Sequence, residues 1–553
     1  MRRGGVVAIA AVAGWFAFAL ALLYPLANGP VADSWIYGEA ARWFRATGEF
    51  RFPGYTEAMP LAQVVYGAAW GSIFGGGAAS LDVACMILAV IGALLMYALA
   101  IRCGAREWQA LAAAGLMVCN PCYLFLSFSF MSEVPFLAAL LACHLAFANA
   151  EGENEIRWIW LSAILGVVAF TVRPFGGAAI LGGAGAILLY DAMLPPALKA
   201  SRAKMVARLA PFAIAFVVCV AIWIWLTVMR PPSWTLAARE SHLSYLLYVS
   251  FVEYMRSGFL GPILYLGIVL SPMALLRLET KDAGKVIMLA TGIFIVAMML
   301  VWAGDRYPST TEMSCFGGWS NALILRGLPS RFLWQDWWRY VVMLLGSVGA
   351  AGIIFAGIEV IPKLNRASAS VLISVAIYWA AMVLLWLFND RYDVVMVPAG
   401  ALILALAPLP DRRMTKVAAL TMTAAMGSLS LGGVYSYQRG LAAVIAARDT
   451  LQRKGIPRSA IDAGYELNGL ELYRFSRAAQ DAVDTLSMES GIPMITSERI
   501  DEYTLASEPF QGTTIMGRIA YPGPFGIGKR ELYILRRIDP GISPLSLPAR
   551  EGN

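Results

Sequence analysis

Three carboxylates draw attention because so little of this chain carries charge. Asp33, Glu57 and Glu133 lie at the edges of long apolar stretches, where an acid costs free energy unless it is solvated or paired. Brought together, such groups could take a proton from an attacking hydroxyl or amine. Asp33 and Glu133 could also hold a divalent cation through oxygen, which suits Mg or Mn better than Zn. Arginines supply the opposite charge. Arg173 precedes a proline, Arg306 sits between Asp305 and Tyr307, and Arg391 sits between Asp390 and Tyr392. An arginine with a tyrosine beside it, such as Arg391 with Tyr392, can grip phosphate oxygens in pairs while staying charged. His242, flanked by serines, is a candidate auxiliary base.

Each of these residues also has a plainer explanation. Asp33 could cap the first turn of a helix, and Glu133 could be favoured by the positive end of a helix. The arginines could reach out to lipid headgroups. His144 falls inside an apolar segment and reads as structural. With only two histidines a histidine-rich metal site is excluded, and the seven cysteines show no paired metal-binding spacing.

The elements that would carry these residues are membrane helices. Of 553 residues, 59% are hydrophobic and 14% charged, far from the composition of soluble domains. Apolar runs fall at roughly 5–28, 82–101, 108–120, 133–150, 158–172, 174–190, 209–229, 261–277, 285–303, 340–360, 370–388, 394–409 and 416–436. Backbone inside a bilayer must satisfy its own hydrogen bonds, so these read as about thirteen helical crossings. The run 60–77 is weak and glycine-terminated, and reads as a re-entrant or interfacial helix. Residues 1–22 read as an uncleaved first helix rather than a secretory signal.

Basic residues orient the chain. With the amino terminus inside, all six lysines before residue 436 fall on inner connections, whereas the outer side carries arginines alone. Asp33, Glu57, Glu133, Arg173, His242, Arg306 and Arg391 then share the outer face. In the first outer loop, Trp35, Ile36, Ala40, Trp43 and Phe44 recur at helical spacing, which predicts an amphipathic helix lying in the interface.

Beyond 436 the chain changes character. Residues 437–553 hold 14 basic and 14 acidic side chains, so the formal net charge of +7 belongs entirely to the first 436. That excess fits membrane topology and anionic headgroups, not a nucleic-acid partner. Helices are expected at 438–455 and about 474–489, and strands at 461–469, 493–497, 513–520 and 530–538. The expected organisation is a membrane domain, 1–436, and a small α/β domain, 437–553, on the outer side.

Four motifs in this order resemble the multi-spanning lipid-phosphosugar glycosyltransferases of the GT-C fold, the broad group of lipid A aminoarabinose transferase and protein O-mannosyltransferases. They are Asp33-Ser34-Trp35-x-Tyr37, Ser132-Glu133-x-Pro135-Phe136, Arg391-Tyr392 followed by Pro398, and Ile461-Asp462-Ala463-Gly464-Tyr465-x-x-Asn468-Gly469. The resemblance implies an inverting transfer of sugar from a polyprenyl-phosphate donor to a glycan, lipid or other envelope acceptor, at the outer face of a bacterial inner membrane. It implies Asp33 as general base and Glu133, with Glu57, orienting the acceptor or a metal. Arg306, Arg391, Arg173 and Tyr392 would hold the donor phosphate, with Tyr37 and His242 as auxiliary groups. Asp33 is followed by Ser34 and not by the second acid of the O-mannosyltransferases, which points away from protein acceptors. Competing classes are an O-antigen ligase-like enzyme, a lipid-linked glycan carrier and a non-catalytic membrane scaffold. A scaffold would not unite the acidic residues.

Overall fold

The computed structural model describes residues 3–52, 60–195, 200–229, 250–280, 282–302, 337–385, 390–464, 466–470, 502–509 and 511–538. Glu57, His242 and Arg306 lie outside the described residues, as do the helix expected at 474–489 and the strand expected at 493–497.

From the amino terminus the helices are α1 (Arg3–Leu23), α2 (Ser34–Thr47), α3 (Leu61–Phe74), α4 (Ala78–Arg102), α5 (Glu107–Cys119), α6 (Pro121–Ser127) and α7 (Glu133–Ala148). There follow α8 (Glu155–Val172), α9 (Gly177–Met193), α10 (Arg202–Met229), α11 (Phe251–Met255), α12 (Gly261–Ala274) and α13 (Ala283–Trp302). The last are α14 (Trp337–Val360), α15 (Arg366–Leu384), α16 (Asp390–Asp393), α17 (Val397–Leu406) and α18 (Arg413–Arg453). Among the described residues ten helical stretches are long and apolar enough to cross a membrane, or eleven if the bent pair α5–α6 is one span. The count of thirteen exceeds this at α7 and α17, which are helical but short, with 16 and 10 residues. The weak run at 60–77 becomes α3, of 14 residues.

The segment 121–132, between the apolar runs 108–120 and 133–150, is wholly buried. The reason is local. Asn120 accepts the backbone N–H groups of Cys122 (2.9 Å) and Tyr123 (3.3 Å), Pro121 starts α6, and the chain bends by 66° back into the bundle.

Charged residues sort by membrane face. On connections read as inner, Glu155 pairs with Arg208 (2.9 Å) and Arg366 (2.7 Å), Arg277 with Glu359 (2.9 Å), and Lys416 with Asp411 (2.8 Å). Residues read as outer pair with one another, as described below.

α18 runs unbroken for 41 residues from the membrane part through position 436/437 into the carboxyl-terminal domain. There Val444, Ala447 and Leu451 pack on Ile461, Leu505 and Leu532 of a four-stranded sheet. Its strands β1 (Ile461–Asp462), β2 (Tyr503–Ala506), β3 (Thr513–Pro522) and β4 (Lys529–Arg537) lie in the order β1-β2-β4-β3. β1 pairs in parallel with β2, and the other pairings are antiparallel, with a bulge at Ile515/Gly517. The strand expected at 461–469 shrinks to two residues. Asn468 folds back, donating through Nδ2 to Asp462 Oδ1 (2.8 Å) while its side-chain Oδ1 accepts Ala463 N–H (3.0 Å).

Candidate active site

Asp33 stands just before α2, whose buried face carries Trp35, Ile36, Tyr37, Ala40 and Ala41. The capping explanation fails, because the carboxylate makes no cap hydrogen bond to the first turn. Instead its Oδ2 accepts from Arg391 Nη1 at 2.9 Å, across 358 positions of sequence. The turn into α2 is fixed by Ser34, whose Oγ accepts Val31 N–H at 2.7 Å.

Glu133 opens α7 and is fully buried. Its Oε1 accepts from Arg173 Nη2 at 2.6 Å and lies 3.5 Å from Arg391 Nε. Its Oε2 is buried with no hydrogen-bond partner among the described residues. Arg173 ends α8 in extended backbone before Pro174, and its Nε donates to Ser132 Oγ at 2.9 Å. Both arginines turn into the protein rather than out to headgroups. Their guanidinium carbons lie 5.0 and 5.1 Å from the ring centre of Tyr392, within range of cation–π attraction.

The electrostatics follow from this packing. Two buried or half-buried acids face two guanidinium groups, so each charge has a partner, which burial demands. Tyr37, on the first turn of α2, senses Asp33, Arg173, Glu133 and Arg391. Burial, reinforced by the charge of Asp33, pushes its hydroxyl well above the ordinary tyrosine value, so it remains a hydrogen-bond donor. Asp393, two residues past Arg391, is raised well above the usual carboxylate range by burial.

The structure therefore brings together Asp33, Tyr37, Glu133, Arg173, Arg391 and Tyr392. Sequence reasoning missed Tyr378, which donates its hydroxyl to the Tyr392 carbonyl at 3.0 Å and packs edge-on against Phe175. A tyrosine inside an apolar run carries no signal that sets it apart. Asp393 was missed as well, although the acidic residue closing the Asp-Arg-Tyr-Asp run could have marked it. His144 is buried on α7 with Nδ1 3.2 Å from Ser370 Oγ.

A cation between Asp33 and Glu133 fits the described donor set poorly. A shared guanidinium occupies the position a metal would take, and no group of three His, Cys, Asp or Glu side chains converges among the described residues. What the arrangement offers is a carboxylate paired with a guanidinium, a buried acid facing two cations, and aromatic hydroxyls around them.

Residues 67–225 match the family model of dolichyl-phosphate-mannose-protein mannosyltransferase. The expected kinship is borne out over that stretch. It contains Glu133 and Arg173 but neither Asp33 nor Arg391. No curated protein sequence matches significantly. Among solved structures, the Saccharomyces cerevisiae protein O-mannosyltransferase Pmt1-Pmt2 complex bound to the sugar donor aligns at 17% identity and TM-score 0.34. That alignment covers 39% of this chain and 33% of the yeast chain, so this protein spans about a third of that relative. ArnT from Cupriavidus metallidurans bound to undecaprenyl phosphate aligns at 13% identity and TM-score 0.40, over 97% of this chain and 98% of that one. The Archaeoglobus fulgidus oligosaccharyltransferase AglB aligns at 13% and 0.43, over 92% and 62%. Similarity this low carries no argument about residues or reaction.

Proposed function

We propose that this protein transfers a sugar from a polyprenyl-phosphate donor to an envelope acceptor, a glycan or lipid, with inversion at the anomeric carbon. The observation that supports this reading best is the sharing of Arg391 by Asp33 and Glu133. One guanidinium joins two carboxylates at the membrane face where a lipid-borne phosphate would arrive. The match of residues 67–225 to a mannosyltransferase family supports a lipid-phosphosugar transfer in general.

The donor phosphate would compete with Asp33 for Arg391, since a guanidinium pairs with phosphate as readily as with carboxylate. Released, Asp33 accepts the proton of the acceptor hydroxyl as its oxygen attacks the anomeric carbon. The bond from that carbon to the phosphate oxygen breaks, and its electron pair leaves on the phosphate, which gains a negative charge. Arg391 and Arg173 stabilise that charge, and Arg306 is placed with them by sequence alone. Glu133 keeps the two guanidinium groups oriented, and Tyr37 and Tyr392 contribute hydroxyl donors. His242 and Glu57 are assigned auxiliary roles on the same outer face. The proposed setting is a bacterial inner membrane, amino terminus cytoplasmic and carboxyl-terminal domain periplasmic. Acceptor choice is assigned to the outer loops.

The scaffold alternative requires acids that do not meet, and the shared guanidinium counts against it. The reading is tested by incubating membranes that carry the protein with radiolabelled polyprenyl-phosphate sugars. Label should pass to an acceptor fraction with inverted anomeric configuration. Label retained on the lipid with every donor supplied, in membranes rich in folded protein, would overturn it.

A further inference from the structure

α3 is too short to be a comfortable membrane span, yet it touches the supports of both acids. Towards Glu133, the side chain of Gln63 is buried and donates through Nε2 to the carbonyl of Phe130 at 2.9 Å. Phe130 lies in the buried strap 128–132 that leads directly into Ser132 and Glu133. From α4, the buried carboxylate of Asp82 faces the backbone N–H of the same Phe130. Towards Asp33, Arg45 of α2 donates through Nη1 to the carbonyl of Gly71 on α3.

Gly67 is where these supports meet. A methyl group built there would lie 2.5 Å from Phe130 Cζ and 3.1 Å from Ala41 Cβ on α2. Both neighbours are buried, so neither side can yield freely. Only glycine lets α2, α3 and the strap close to this distance.

We propose that Gln63 and Gly67 are positioning residues that set the separation of Asp33 and Glu133 across Arg391. α3 is a brace. Gly67 sets how near the α2 support comes to the strap, and Gln63 fixes the peptide three residues before Glu133. This deepens the transferase reading and rests on it, because a reaction centre loses rate steeply when its groups are displaced, about a hundredfold for a displacement of 1 Å. The arginines that would hold the donor phosphate come from other elements, Arg173 from the end of α8 and Arg391 from α16, and both stay against the Tyr392 ring, so donor binding should fall less than the rate.

The test uses the full-length protein in proteoliposomes with a polyprenyl-phosphate sugar. Gly67→Ala should lower kcat per folded molecule about tenfold or more, with the donor KM changing by less than about threefold. Gln63→Met, equal in length but without the amide, should act in the same direction. Gly67→Ala combined with Phe130→Leu, which removes the crowded ring, should recover much of the rate. A purely structural role would lower folded yield and thermal stability while leaving kcat per folded molecule unchanged, and that result for both single variants would overturn the proposal. Should Gly67→Ala fail to fold, Gln63→Met alone decides between these outcomes. If the wild type itself transfers nothing, the function has failed, and a thermal-unfolding double-mutant cycle of Gln63→Met with Glu133→Gln then judges the brace. Non-additive shifts support it, and additive shifts contradict it.

Discussion

Arg391 holds a position in which every neighbour constrains it. Asp33, Glu133 and Tyr392 all lie within reach, and Glu133 is tied in turn to Arg173. These residues were legible in the sequence because acids and arginines are scarce in so apolar a chain, and each sits at the edge of a helix. Tyr378 and Gln63 were not, since a tyrosine or amide inside an apolar run looks like core until its partner is known. Asp393 gives this scale a pH signature. Its carboxyl is raised by burial, so between the ordinary aspartate value and the raised one the folded protein binds more protons than the unfolded chain. Its contribution therefore favours folding at low pH and turns against it as pH rises. Asp393→Asn should raise the thermal midpoint relative to wild type at pH 7.5, with the difference vanishing towards pH 4. A difference of constant size across that range would contradict this account.

At the scale of elements, patterns repeated along the chain were read well, and long-range closures were not. Alternation at 513–520 and 530–538 marks β3 and β4, and the helical spacing after Asp33 marks α2. The two-residue β1 and the strand Tyr503–Ala506 depend on partners far away in sequence, which local pattern cannot supply. The boundary drawn at 436/437 follows a change in composition, yet α18 passes straight through it, because its apolar face serves the bundle first and the sheet afterwards. The closing residue of the outer motif, Gly469, is explained by close approach. A methyl there would lie 2.5 Å from Trp35 Cζ2, two residues from Asp33, so the carboxyl-terminal domain rests on the loop that carries the proposed base. Asn120 offers a direct check on the buried bend. It caps α6 and also donates to Tyr265 Oη at 2.9 Å. Asn120→Ala should destabilise the protein by at least about 1 kcal/mol, whereas Asn120→Ser, which keeps a cap acceptor without adding a charge, should cost less. Equal losses in thermal unfolding would show that the cap is not what holds the bend.

For the whole molecule, a multi-pass helical membrane part with a carboxyl-terminal extramembrane domain follows from composition and stands in the structure. Helix count was less legible, since α7 and α17 are apolar but shorter than a bilayer crossing requires. Sidedness is proposed from lysine placement, and the ion pairs join only connections assigned to the same face. It can be read with a membrane-impermeant thiol reagent on intact spheroplasts, in a Cys315→Ser background. The other six cysteines are buried. Ala46→Cys at the end of α2 should label from outside, and Lys285→Cys at the start of α13 should label only after lysis. The reverse pattern would invert the proposed topology.

The central claim is that Asp33 is the base of a polyprenyl-phosphate-dependent transfer, locked by Arg391 until donor phosphate arrives. It is tested most directly by comparing wild type and Asp33→Asn in membranes, at matched levels of inserted protein, with a radiolabelled polyprenyl-phosphate sugar that the wild type uses. The account predicts that Asp33→Asn inserts normally, still binds the donor lipid and loses transfer by about a hundredfold or more. Transfer at the wild-type rate would contradict it.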